Sequence, residues 1–229
     1  MKLCTTSHLL ALVLCLPLWG LPAPGRAEDA LPPAVRAQLD AALADYEAGR
    51  LTPAGAAFEA LASKRVAVAE YNLAVMHLRA ELPMPDRVLA RELMTRAAEG
   101  GFVTAQFALA QGLETGDIGE RNLPLAFRWY EAAASGGNVD AQVAMGTAYF
   151  LGRGRPKDLA AAARWYREGA KGGDVGAMYI LASMYEHGDG LPRDLRLARY
   201  WYDLAAQAGD EAAPSKLKEI DARIAAQPS

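Results

Sequence analysis

Two histidines, His77 and His187, are the only imidazoles beyond the N-terminal apolar run. They fall at different places in the repeating unit described below, so they do not form a pair. His77 replaces an aliphatic or tyrosine side chain of the other units, which predicts a packing role. His187 precedes the turn Gly188-Asp189-Gly190, a setting for solvent or partner contact. Both cysteines, Cys4 and Cys15, lie within the first 27 residues, so the rest of the chain has no thiol nucleophile. No serine occupies the Gly-x-Ser-x-Gly context of a nucleophile elbow. Gly152 to Asp158 reads GRGRPKD and invites a phosphate-loop reading. It lacks the Gly-Lys-Ser/Thr ending and follows a helical pattern where a strand is required. Asp189 is a fragment of a calcium loop without the remaining ligands or the terminal glutamate. The chain is therefore expected to have no catalytic residues, no metal site and no cofactor.

The N-terminus has the layout of a secretory signal peptide, read as residues 1–27. Lys2 precedes an apolar run from Leu9 to Trp19, and Gly25 and Ala27 stand at positions −3 and −1 of a cleavage point before Glu28. The run is too short for a bilayer span, which takes about 20 residues. Losing Lys2 and Arg26 with that segment takes 24 basic residues to 22 against 27 acidic ones, so a net −3 becomes −5. There is no long basic run, which speaks against a nucleic-acid partner. A periplasmic or secreted bacterial protein is expected, with no stable membrane insertion of the mature chain. With no cysteine left, its stability comes from packing alone.

Ala69, Ala105, Ala141 and Ala177 start four blocks spaced by 36 residues without insertion. The blocks are 69–104, 105–140, 141–176 and 177–212. Trp129-Tyr130, Trp165-Tyr166 and Trp201-Tyr202 recur in phase, with Leu93-Met94 in the first block. Each block reads as two helices. Ala141, Ala144, Met145, Ala148 and Tyr149 follow three-and-four spacing, then Gly152 and Gly154 interrupt. Asp86, Asn122, Asp158 and Asp194 are predicted N-caps of the second helices. Gly100-Gly101, Gly136-Gly137 and Gly172-Gly173 are predicted left-handed ends. Gly146, with Ala74, Ala110 and Ala182 in its place, lets helices approach closely. Residues 28–68 read as a degenerate capping repeat, with Phe58 and Leu61 inward. Residues 213–229 read as a capping helix and tail, with Pro214 in its first turn and Leu217, Ile220 and Ile224 on one face.

These blocks resemble the Sel-one-like repeat, a relative of the tetratricopeptide repeat. The pattern of Ala, Leu-Gly, Tyr, a Gly-rich turn, Asp, Ala, Trp-Tyr, Ala-Ala and Gly is nearly complete in the third and fourth blocks. The second has Leu113 in the Tyr place, and the first departs most, with His77, Leu93-Met94 and the turn LPMPD. The resemblance implies an all-α, right-handed superhelix of antiparallel helix pairs. Cysteine-rich members have been linked to penicillin binding through disulfide-tied pairs, a property that a chain without mature cysteines does not inherit.

A solenoid of this kind presents a concave face lined by the first helix of each repeat. By analogy with tetratricopeptide arrays, the third, seventh and tenth places face that groove. The third holds Tyr71, Phe107, Val143 and Tyr179; the seventh Val75, Gln111, Thr147 and Ser183; the tenth Leu78, Glu114, Phe150 and Glu186. Aromatic anchors are a usual source of binding energy, so the third column is the leading candidate for partner contact. The alternative is that the same rings only pack between adjacent helices. The expected function is that of an adaptor or regulator, probing another protein or peptide segment as a monomer and not acting as an enzyme. Exported members of the family include regulators of sensor kinases and envelope-assembly adaptors, which is what the resemblance implies here. The rival readings are an enzyme or inhibitor in cell-wall metabolism and a secreted host-binding factor.

Overall fold

The computed structural model describes residues 31–226, and within them every regular element is a helix. The signal-peptide reading of residues 1–27 lies outside the described residues, as do 227–229. Four helix pairs follow the repeat: α3 (Ala67–Leu78) with α4 (Arg87–Glu99), α5 (Val103–Thr115) with α6 (Leu123–Ser135), α7 (Val139–Leu151) with α8 (Leu159–Lys171), and α9 (Val175–His187) with α10 (Leu195–Gln207). They are preceded by α1 (Pro33–Glu47) and α2 (Leu51–Ala62), and followed by the single helix α11 (Ala213–Ala225). Among the described residues, the extensive helix–helix packing is all between consecutive helices, so the chain is a stack rather than a ball.

The helix starts are specified locally. Asp86, Asn122, Asp158 and Asp194 have side chains that accept backbone N–H bonds from the first turns of α4, α6, α8 and α10, as the sequence predicts. Asn138 and Asp174 do the same for Ala141 in α7 and Ala177 in α9. Those two caps precede the blocks as read from the alanines, which is why the sequence reading passed over them.

The double glycines divide their labour in a way the sequence does not reveal. Gly101, Gly137 and Gly173 take the left-handed conformation, with φ of 82°, 88° and 95°. Gly100, Gly136 and Gly172 have ordinary negative φ. Their smallness serves packing, because a Cβ at Gly136 or Gly172 would overlap Val103 or Val139 at the start of the preceding first helix. Gly146 lies against the Tyr166 ring, where a Cβ would be 2.9 Å from the nearest carbon, which agrees with the close-approach reading.

The ends are closed by apolar contacts. Phe58 and Leu61 of α2 are buried, and Ile220 of α11 is fully buried, with Leu217 and Ile224 packed beside the same cluster.

Candidate functional site

The second-helix tyrosine is the hub on which side chains of the third, seventh and tenth places converge. Tyr130, Tyr166 and Tyr202 are buried and stand at the same place in three repeats. Phe107 meets the Tyr130 ring edge-on at 5.8 Å, and Tyr179 meets Tyr202 at 5.1 Å. Val143, with no ring to offer, rests against Gly169. In the first repeat, where Met94 replaces that tyrosine, Tyr71 turns instead to Phe102 at 5.3 Å. Tyr71 is only 5% exposed, whereas Phe107 and Tyr179 are half-buried.

The hydroxyl ends of the same tyrosines reach the other two columns. The Tyr130 hydroxyl donates to Glu114 at 2.7 Å, and the Tyr202 hydroxyl donates to Glu186 at 2.9 Å. In the third repeat Phe150 holds the tenth place and packs edge-on against Tyr166 at 6.5 Å. The Tyr166 hydroxyl then pairs with the Thr147 hydroxyl of the seventh place at 3.0 Å. Gln111, Thr147 and Ser183 are all half-buried.

The two tenth-place carboxylates have counter-ions that were not singled out from the sequence. Arg153, from the next repeat's turn, meets Glu114 at 2.9 Å. Arg223 of α11 donates to Glu186, and Lys216 lies 3.9 Å away. Glu186 is 3% exposed. Burial pushes its carboxyl up, but the Tyr202 hydroxyl, Arg223, Lys216 and His187 outweigh burial and hold it below the ordinary carboxylate value. Burial, then the bonded carboxylate, pushes the Tyr130 and Tyr202 hydroxyls well above the usual phenol value. Tyr166 is raised by burial against the lowering effect of Thr147, and Tyr71 by burial.

The structure thus gathers Phe107 with Glu114, Thr147 with Phe150, and Tyr179 with Glu186, each set around one tyrosine. The periodicity placed them on one face, but a hydroxyl's partner depends on the distance between helices, which periodicity does not fix. The second polar system is also absent from the sequence reading. Glu70, 2% exposed, is bonded by Arg96 of α4 through Nε at 2.8 Å, and Arg96 Nη2 also donates to the Ala62 carbonyl.

The histidines take the bland roles. His77 is buried, and its Nδ1 accepts the Asp86 backbone N–H at 3.0 Å. In the other three repeats the corresponding N–H, of Asn122, Asp158 and Asp194, goes to a backbone carbonyl nine residues earlier. The imidazole therefore stands in for a carbonyl where the LPMPD turn runs differently. His187 is exposed, with Nδ1 at 2.8 Å from the Ser183 carbonyl oxygen. Among the described residues, no three His, Cys, Asp or Glu side chains come together in a metal-binding geometry. No described helix is long and apolar enough to cross a membrane.

Stacked helix pairs with side-chain columns at constant spacing define an α-solenoid repeat protein. The Sel1 repeat matches residues 67–102, 103–138, 139–174 and 175–210, so the chain belongs to the Sel1 repeat family. Those units have the same 36-residue spacing as the blocks read from the alanines and begin two residues earlier. Among solved structures the chain is similar to a Sel1 repeat protein from Oxalobacter formigenes, at 26% identity and a TM-score of 0.72, covering 78% of this chain and 74% of that one. It is also similar to a protective antigen of uropathogenic Escherichia coli with an SLR fold, at 28% identity and a TM-score of 0.74. That alignment covers 84% of this chain but only 42% of the antigen. No curated protein matches this sequence. Repeats of this family generally mediate protein–protein interaction.

Proposed function

We propose that the chain is an exported adaptor or regulator that holds a segment of another protein along the concave face lined by α3, α5, α7 and α9. The observation that carries this reading is the seventh-place column. Gln111, Thr147 and Ser183 stay half-exposed at 36-residue spacing, beside rings whose positions the second-helix tyrosines fix. Rings held in place lose little freedom on binding, which favours recognition by a preformed surface. The half-buried Phe107, Phe150 and Tyr179 supply apolar contact. Glu114, half-buried and already paired with Arg153, supplies register. Tyr71 and Glu186, being buried, contribute packing to this face and no direct contact.

The test is affinity capture from a periplasmic extract with the wild-type chain and with Gln111→Trp/Ser183→Trp. Two bulky uncharged side chains in the column should abolish capture of the wild-type partner while shifting Tm by only a few degrees. Capture that survives both substitutions refutes the groove. Fractionation supplies the location: the protein is expected in the periplasm, and recovery in the cytosol contradicts export.

A further inference from the structure

Arg155 and Lys157 are the exceptions among the basic side chains of the turns within the helix pairs. Arg121 and Arg193 donate to the carbonyls of Glu114 and Glu186 at 2.9 and 3.1 Å, which seals the ends of α5 and α9. Arg153 is paired with Glu114. Arg155 has neither a carboxylate nor a carbonyl partner. Its guanidinium carbon lies 4.4 Å from the centre of the Tyr149 ring and 5.3 Å from that of Phe127. The Nε is sealed from solvent without an acceptor, while the Nη groups are not buried. Rings attract the face of a guanidinium and leave its edge free to donate.

The loop holding it is fixed. Arg153 N–H donates to the Ala148 carbonyl at 2.9 Å, and Asp158 N–H to the Tyr149 carbonyl at 3.0 Å. Gly154, at φ 70°, lies so close to Phe127 that a Cβ would overlap the ring. The fold does not require an arginine there. The fourth repeat has Leu191 in the same place, packed against the core, and the second has Gly119. A shielded N–H without an acceptor weakens a fold. An arginine held over two rings, with Nη groups that are not buried and no acceptor within the fold, is positioned for a ligand.

We propose that Arg155, with Lys157 beside it, forms an anion site that takes the carboxylate side chains of an acidic segment of the partner protein. Lys157 Nζ lies 5.8 Å from the centre of the Phe150 ring, so the site borders the tenth column. The proposal thus rests on the protein-binding reading above and names the partner's charge. A carboxylate fits better than a phosphate. Phosphate sites use a cradle of successive free backbone N–H groups; in this turn Gly152, Arg153 and Asp158 commit theirs to α7 and Pro156 has none, which leaves only Gly154 with Arg155 and, apart from them, Lys157. A guanidinium edge, by contrast, matches a carboxylate directly.

The test uses the full chain with 15N-labelled arginine side chains, the Arg155 Nε signal being assigned by its loss in Arg155→Leu. Three probes are titrated: a capped hexapeptide of alternating glutamate and alanine, its glutamine counterpart, and inorganic phosphate. The glutamate peptide alone should move the Arg155 signal saturably. Arg155→Leu should weaken its binding about tenfold at unchanged Tm, and added salt should weaken it further. No shift, an equal shift with the glutamine peptide or with phosphate, or undiminished binding by Arg155→Leu overturns the proposal. Peptide binding alongside capture that survives Gln111→Trp/Ser183→Trp sinks the groove reading alone. Lost capture in that variant with no peptide binding sinks the Arg155 site alone.

Discussion

A carboxylate buried under an arginine contributes a stability that depends on pH, and Glu186 shows the sign. Its folded pKa lies below the ordinary 4.5, so its ionised form favours the folded state at every pH above about 4.5. That contribution is lost as pH falls from 4.5 through the lower folded value. Glu186→Gln keeps an oxygen for the Tyr202 hydroxyl but removes the charge facing Arg223 and Lys216. The cost at pH 7 should be about 1–2 kcal/mol, less than for a fully buried pair because the Arg223 side chain is 39% exposed. Thermal melts of both proteins from pH 7 to pH 3 should show the gap closing on the acid side, and a constant gap would remove the ion pair from the explanation. The tyrosines act at the other extreme. Tyr130 and Tyr202 have folded values above the ordinary 10.0, so the stability they give as neutral phenols is present below pH 10 and lost as pH rises beyond it. Tyr130→Phe should lessen the alkaline fall in Tm. The sequence marked Glu186 as a groove acid because its repeat place was legible. Its burial was not, because that depends on where α11 comes to rest.

At the scale of the helix, local chemistry wrote most of the boundaries. Asp158 and its counterparts could be read as caps because a capping side chain bonds amides within its own first turn. The double glycines could be read as helix ends, but not for which glycine does what. Gly136 faces Val103, 33 positions earlier, and only the stacked structure brings them together. The two roles can be separated by substitution. Gly136→Ala should cost about 1–3 kcal/mol, because the stiff β-branched Val103 has to yield. Gly137→Ala meets nothing within 4 Å, but its φ of 88° should still cost about 1–2 kcal/mol. Gly100→Ala, whose neighbour is the small Ala67 at 3.2 Å, should be the mildest. Urea midpoints at unchanged m-value measure all three. If Gly136→Ala were as mild as Gly100→Ala, the contact with Val103 would not be what selects glycine there.

Across the whole molecule, the apolar interior forms three clusters in line rather than one centre. One cluster runs from α1 to α6, one spans α5 to α8, and one extends from α7 to α11. Two aromatic side chains belong to more than one of them: Trp129 packs against the first and second, and Tyr149 against the second and third. With extensive packing among the described residues limited to consecutive helices, cooperativity passes along the chain through such bridges. In the second repeat the Trp-Tyr pair, legible as a repeat signature, therefore divides into two tasks: Tyr130 holds Phe107 and Glu114 within its repeat, and Trp129 ties the first cluster to the second. Trp129→Ala removes a bridge and leaves Tyr130 with Glu114 intact. The wild-type chain should unfold in urea as one transition. In Trp129→Ala that transition should split in two, each with a smaller m-value, and amide exchange in α1 to α4 should become faster than in α9 and α10. A single transition displaced to lower urea with the original m-value would mean that the tryptophan adds stability without carrying the coupling. The backbone between clusters would then have to transmit it.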